Sequence, residues 1–190
     1  MKPVSAAEIK SIADYELERP LLRPRMMELK DRRRVRVGES LTFLFENRDT
    51  VRYQIQEMIR IERLEKPAEI RHEVETYNEL IPGRNELSAS LLIEYEKPEE
   101  RDVWLRKLLG LEDHVWMEVE GAGRARASFD DRQISTGRIS SVQYIKFPLS
   151  AEQAAAFGRG ASIVVDHPEY PARTPITGDQ LAELLEDLAG

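Results

Sequence analysis

The chain has 190 residues and no cysteine, and its 35 acidic and 28 basic side chains give a formal charge of −7. That length suits one domain with its own core, and the charge sets the surface against nucleic acid and anionic membranes. Without cysteine there are no disulfides, thiolate nucleophiles, zinc–thiolate sites or cysteine-ligated clusters, so a metal would need carboxylates and His72, His114 or His167.

The N-terminal MKPVSAAEIK has no apolar signal-peptide core and no run reaches the length of a membrane span, so a cytoplasmic protein is expected. Ser5-Ala-Ala-Glu8 has the form of a capping box. Pro20 and Pro24 predict a break before a basic helical stretch from Arg25 to Arg34. Val35–Gly38 reads as a strand and turn, and Leu41–Phe45 as a strand. Asn47 or Asp49 caps a helix ending near Leu64. Pro67 opens the next helix, to about Asn78. Leu87–Tyr95 alternates as a strand. Pro98 starts a helix that Gly110 closes. His114–Glu120 and Arg124–Phe129 form a hairpin around Gly121-Ala-Gly123, a lone GxG that precedes a strand and so is no dinucleotide fingerprint. Ser141–Phe147 and Ala161–Val165 are strands, separated by a short helix capped by Ser150. The segment 168–175 reads as a loose connector before a final helix capped by Thr177. Interspersed strands and helices with a hairpin predict a single α+β domain over residues 1–190, its sheet mixed or mainly antiparallel and packed by several helices.

The helix after Leu41–Phe45 is the most informative element. At about 100° per residue, Val51, Ile55, Met58, Ile59 and Ile61 fill an apolar arc opposite Arg52, Gln56, Arg60 and Arg63. Gln54 and Glu62 fall inside that arc and Glu57 on its edge. Buried polar groups need partners, so these residues belong either to a structural network or to a pocket with Glu57 or Glu62 as base or ligand. Tyr77 on the next helix offers a hydroxyl to the same face. His167, at the end of the ASIVV strand, stands where loops on a sheet often carry chemistry. The candidate polar pocket is therefore Gln54, Glu57, Glu62, Tyr77 and His167. Arg32, Arg34 and Arg36 form a basic island that either holds an anion or pairs with the surplus acids. Glu69 and His72 have the Glu-x-x-His spacing of di-iron bundles, but one such motif is too few for that site, and no metal site or cofactor is assigned.

FENRDTVRYQIQEMIRIER from Phe45 to Arg63 closely resembles the signature of a bacterial domain-of-unknown-function family. Tyr77–Pro82, Leu91–Tyr95, Leu109–Glu112, Ser141–Phe147 and His167–Tyr170 extend the resemblance over nearly the whole chain, while Asp130–Gly137 departs from it. Members are often encoded beside rubrerythrin-like proteins and iron–sulfur oxidoreductases. The resemblance carries no catalytic residue. It implies an accessory or interaction protein in a redox or metal-handling system, with an iron–sulfur or rubrerythrin-like partner. The alternative, from the residues themselves, is a small-molecule or metal-binding enzyme with a carboxylate-rich pocket.

Overall fold

A computed structural model describes residues 1–130 and 137–189. Residues 131–136, inside the stretch that departs from the family pattern, and Gly190 lie outside the described residues. The chain is α+β, with helices α1 (Ile12–Arg32), α2 (Arg48–Glu62), α3 (Pro67–Asn78), α4 (Pro98–Lys107), α5 (Ala151–Ala156) and α6 (Gly178–Ala189). The strands are β1 (Arg34–Val37), β2 (Leu41–Glu46), β3 (Glu86–Ile93), β4 (Val115–Val119), β5 (Gly123–Arg126), β6 (Ser128–Phe129), β7 (Val142–Pro148), β8 (Ala161–His167) and β9 (Tyr170–Ile176). They form two sheets, ordered β1-β2-β3-β7-β6 and β5-β4-β8-β9, and every pairing is antiparallel.

The register explains the core. Phe43 faces Leu91, Phe45 faces Ala89, and Leu87 faces Phe147, which puts alternate residues of three strands on one side. These side chains meet Val115, Met117, Val119, Ile163 and Val165 of the second sheet in a single buried cluster. Leu105 and Leu108 at the end of α4, and Leu184 of α6, join that cluster. The other side of the larger sheet carries Thr42, Leu44 and Glu46, paired with Leu92, Ser90 and Ser88, and then Tyr144 and Lys146. Helices α2 and α3 and the N-terminal segment form a second cluster of their own, built on Val4, Val51, Ile55, Ile59, Val74 and Ile81.

Four sequence expectations change. Helix α1 runs unbroken through Pro20 and Pro24. Each proline removes one bond to the carbonyl four residues back, here from Glu16 and Pro20, both exposed to water. The expected connector at 168–175 is strand β9, hydrogen-bonded along its length to β8. Pro171 and Pro175 are tolerated because β9 is an edge strand. The second arm of the expected hairpin divides, with β5 pairing β4 in one sheet and β6 pairing β7 in the other. Finally, the sheet is two sheets sharing a core.

Arg33, 1% exposed, locks the layers together. Its Nε donates to the Phe45 carbonyl at 2.9 Å, and its guanidinium pairs with Asp187 and with Glu183 of α6. Tyr170 does the same at the other end. Its hydroxyl donates to the Val37 carbonyl at 2.9 Å and accepts from the Ser40 amide at 2.7 Å, tying β9 to the β1–β2 turn. That turn uses Gly38 at φ +64°, and a Cβ there would lie 2.5 Å from the Tyr170 hydroxyl.

Candidate functional site

Helix α2 begins at Asn47, whose side chain accepts from the amides of Asp49 and Thr50, while Thr50 accepts from the Asn47 amide. This reciprocal cap fixes the direction in which the helix leaves β2. Val51, Gln54 and Met58 then lie over the outer face of the larger sheet, and Tyr77 and Leu80 come alongside from α3 and the turn after it. Polar side chains on the strands beneath prevent the two layers from closing. Glu46, buried, accepts from Thr50 at 2.5 Å and from Ser90 at 2.7 Å.

Two adjoining cavities remain between helices and sheet. The larger, about 720 Å³, is lined above by Met58, Glu62, Glu73, Thr76, Tyr77 and Leu80, and below by Ser88, Phe129, Tyr144 and Lys146. The smaller, about 190 Å³, lies beside Glu46, Gln54 and Ser90, and shares Tyr77, Leu80 and Tyr144 with the first. Burial pushes the Tyr77 phenol above its usual range. Burial does the same to Tyr144, with Glu46 adding to it. Both are neutral hydroxyls at neutral pH. Lys146 is held by Glu86 at 2.9 Å. Ser88 is 1% exposed, and its hydroxyl, on the cavity wall, has no hydrogen-bond partner among the described residues. A polar group of an occupant reaching Ser88 would supply the partner that no described residue does.

The sequence-derived pocket divides on this geometry. Gln54, Glu62 and Tyr77 line the two cavities. Glu62 stands exposed at the rim, and Ile61 is 60% exposed although it falls on the apolar arc. Glu57 faces α1 instead. Its carboxylate accepts from the Tyr15 hydroxyl at 2.6 Å and from Arg19 Nε at 2.7 Å, with Arg60 at 3.3 Å. Burial alone would raise its pKa, but these partners outweigh it and hold the group down at about 2. Gln56, placed by periodicity on the solvated side, is buried and bonded to the amide and carbonyl of Lys10. The departures share a cause: α2 is covered on two sides, by α3 and by α1, so a single apolar arc does not describe it.

His167 lies on the second sheet, away from the cavities. It is buried, its Nε2 is 3.2 Å from the Leu109 carbonyl, and its Nδ1 accepts from the Glu169 amide. With Nδ1 accepting, Nε2 carries the proton that faces the Leu109 carbonyl. The exposed pair nearby is His114 with Asp166, 2.9 Å apart. In the basic island, Arg32 pairs with Glu183 and Arg34 with Asp31, while Arg36 borders a separate shallow cleft with Glu39 and Glu94. Among the described residues no group of three or more His, Asp or Glu is arranged to hold a metal ion. No described helix is long and apolar enough to cross a membrane.

Sequence periodicity missed Ser88, Glu73 and Tyr144. The available signal was the alternation of Ser88 and Ser90 in β3, and of Tyr144 and Lys146 in β7. On central strands of a sheet whose other face is core, such residues sit under a second layer.

The solved structure of a "novel protein of unknown function" from Burkholderia pseudomallei K96243 is 32% identical. It covers 98% of this chain and 100% of its own, with a TM-score of 0.92. No curated protein matches the sequence. Residues 3–188 match the family model described as protein of unknown function (DUF3501), and with nearly its whole length inside that match this chain belongs to the DUF3501 family.

Proposed function

We propose that the protein binds a small organic molecule carrying a positive charge, in the cleft between α2–α3 and the outer face of the five-stranded sheet. The observation that carries this reading is the cleft itself. Two packed layers leave about 720 Å³ open over a sheet face bearing a buried Ser88 hydroxyl that has no partner among the described residues. Pockets of this size suit metabolite-sized ligands. Glu62 and Glu73 at the opening have no ion-pair partner among the described residues, whereas Lys146 on the wall of the larger cavity is engaged by Glu86. The potential at the mouth therefore favours an ammonium or guanidinium group. Tyr77, Tyr144 and Phe129 offer ring faces to the same group. A neutral hydroxyl or carbonyl of the ligand would meet Ser88.

Thermal-shift titration with amines and polyamines, beside neutral and anionic compounds of matched size, tests this. The expected result is stabilisation by cationic compounds, diminished in Glu73→Gln and Tyr77→Leu. Stabilisation by anions only, or by no compound in the set, would count against the reading.

A second reading, an accessory role beside an iron–sulfur or rubrerythrin-like redox protein, is supported by the family resemblance and needs no catalytic residue. Its test is affinity capture from a native host, with the partner identified by its cluster spectrum. Repeated recovery of the protein without such a partner would exclude it.

A further inference from the structure

Helix α1 is apolar on two opposite faces. Tyr15 and Met26 point inward and are buried, with Leu22 partly covered beside them. About 180° away, Leu17 is 80% exposed and Leu21 is 74% exposed, with Pro20 and Pro24 exposed beside them. One such leucine is ordinary on a protein surface, whereas a contiguous stripe marks an interaction site.

The charges that directly flank Leu17 and Leu21 are ordered along the helix, with Asp14 and Glu28 beyond them at the two ends of the stripe. Glu16 and Glu18 lie in its first half, and Arg23 and Arg25 in its second. Helical phase puts Glu18 and Arg25 on one flank and Glu16 and Arg23 on the other. When two identical helices pack antiparallel across a two-fold axis, like flanks meet in reversed direction, so each glutamate approaches the partner's arginine. Parallel packing would oppose acid to acid. Arg23 and Arg25 form no salt bridge within the chain among the described residues, which leaves both for an intermolecular contact. Glu18 and Glu16 touch Lys10 and Arg60 only at the exposed surface.

We propose that two copies of this chain associate through the outward face of α1, packed antiparallel about a two-fold axis near Pro20 and Leu21. The surface is self-complementary in the sense that a closed dimer requires. The leucine stripe forms the apolar centre, water stays on the carbonyls that Pro20 and Pro24 leave free at its edge, and the four ion pairs form a polar rim that sets direction and register. Helix α1 spans about 30 Å, so the contact is a single helical seam.

Sedimentation equilibrium of the full chain tests the proposal, with circular dichroism to verify that each variant is folded. Wild type is expected to show a monomer–dimer equilibrium, and Leu21→Glu to be monomeric. Glu18→Arg and Arg25→Glu should each weaken self-association by about tenfold or more. Mixed in equal amounts, those two variants should recover association, because one then offers only arginine and the other only glutamate at the paired positions. A wild type that stays monomeric would overturn the proposal. So would a dimer indifferent to Leu21→Glu, or a mixture that fails to associate.

Discussion

Glu57 shows how one carboxylate can be read as chemistry in sequence and as architecture in structure. It lies in the third turn of α2, and three donors from Tyr15, Arg19 and Arg60 converge on it. A catalytic base needs a pKa near neutrality and an open side toward substrate, whereas this group is held at about 2 and its side chain is 12% exposed. Its work is to fasten α1 to α2. Because the folded value lies below the ordinary 4.5, the stabilisation is fully present above the ordinary value and is lost as pH falls toward 2. Glu57→Gln is therefore expected to cost about 2 kcal/mol at neutral pH. That deficit should shrink as pH is lowered through the acid range, because wild type loses the same interaction by protonation. Urea denaturation of both proteins as a function of pH checks this. A deficit that stays constant down to pH 2 would mean that the carboxylate charge contributes nothing.

At the scale of elements, local chemistry was legible wherever it alone decides structure. Asn47 caps α2, Pro67 and Pro98 open α3 and α4 at the first turn, and Ser150 closes a reciprocal cap on α5. The misreadings occur where a tertiary neighbour overrides the local signal. Prolines suggested a break in α1, but the body of the protein holds one face of that helix and water serves the other. They suggested a connector at 168–175, but the pairing offered by β8 makes that segment a strand. Of the candidate cleft, the helix side was half visible, through Gln54, Glu62 and Tyr77. The sheet side was hidden, because no local pattern says which face of β3 and β7 the helices will cover. Strand β9 also carries a prediction. Its Tyr170 hydroxyl spans the two sheets by serving both Val37 and Ser40. Tyr170→Phe leaves the ring in place and orphans those groups, which should cost about 1–2 kcal/mol. Amide exchange at Ser40 should accelerate in the same variant. Unchanged exchange there would show that the turn holds without the tyrosine.

As a whole, the molecule is a two-sheet core with a helical layer on one side, and the two parts have separate apolar clusters. A well-packed protein has few voids larger than a water molecule, so a layer boundary bearing Glu46, Ser88, Ser90 and Tyr144 sacrifices stability that an apolar seam would supply. Ser88 makes that cost measurable. Its hydroxyl is buried against the cleft with no hydrogen-bond partner among the described residues, so Ser88→Ala removes that group at the expense of one small atom. If the cleft is kept open for a ligand, the variant should be more stable than wild type when empty, by about 1 kcal/mol. For a chain of this size that is about 2–4 °C in Tm. The same variant should gain less from any ligand that stabilises wild type. Opposite signs on the empty and the filled protein are the signature of a site maintained against folding stability. A Ser88→Ala protein that is less stable when empty would show instead that the hydroxyl is satisfied within the fold, and the cleft would then be a packing defect between two layers.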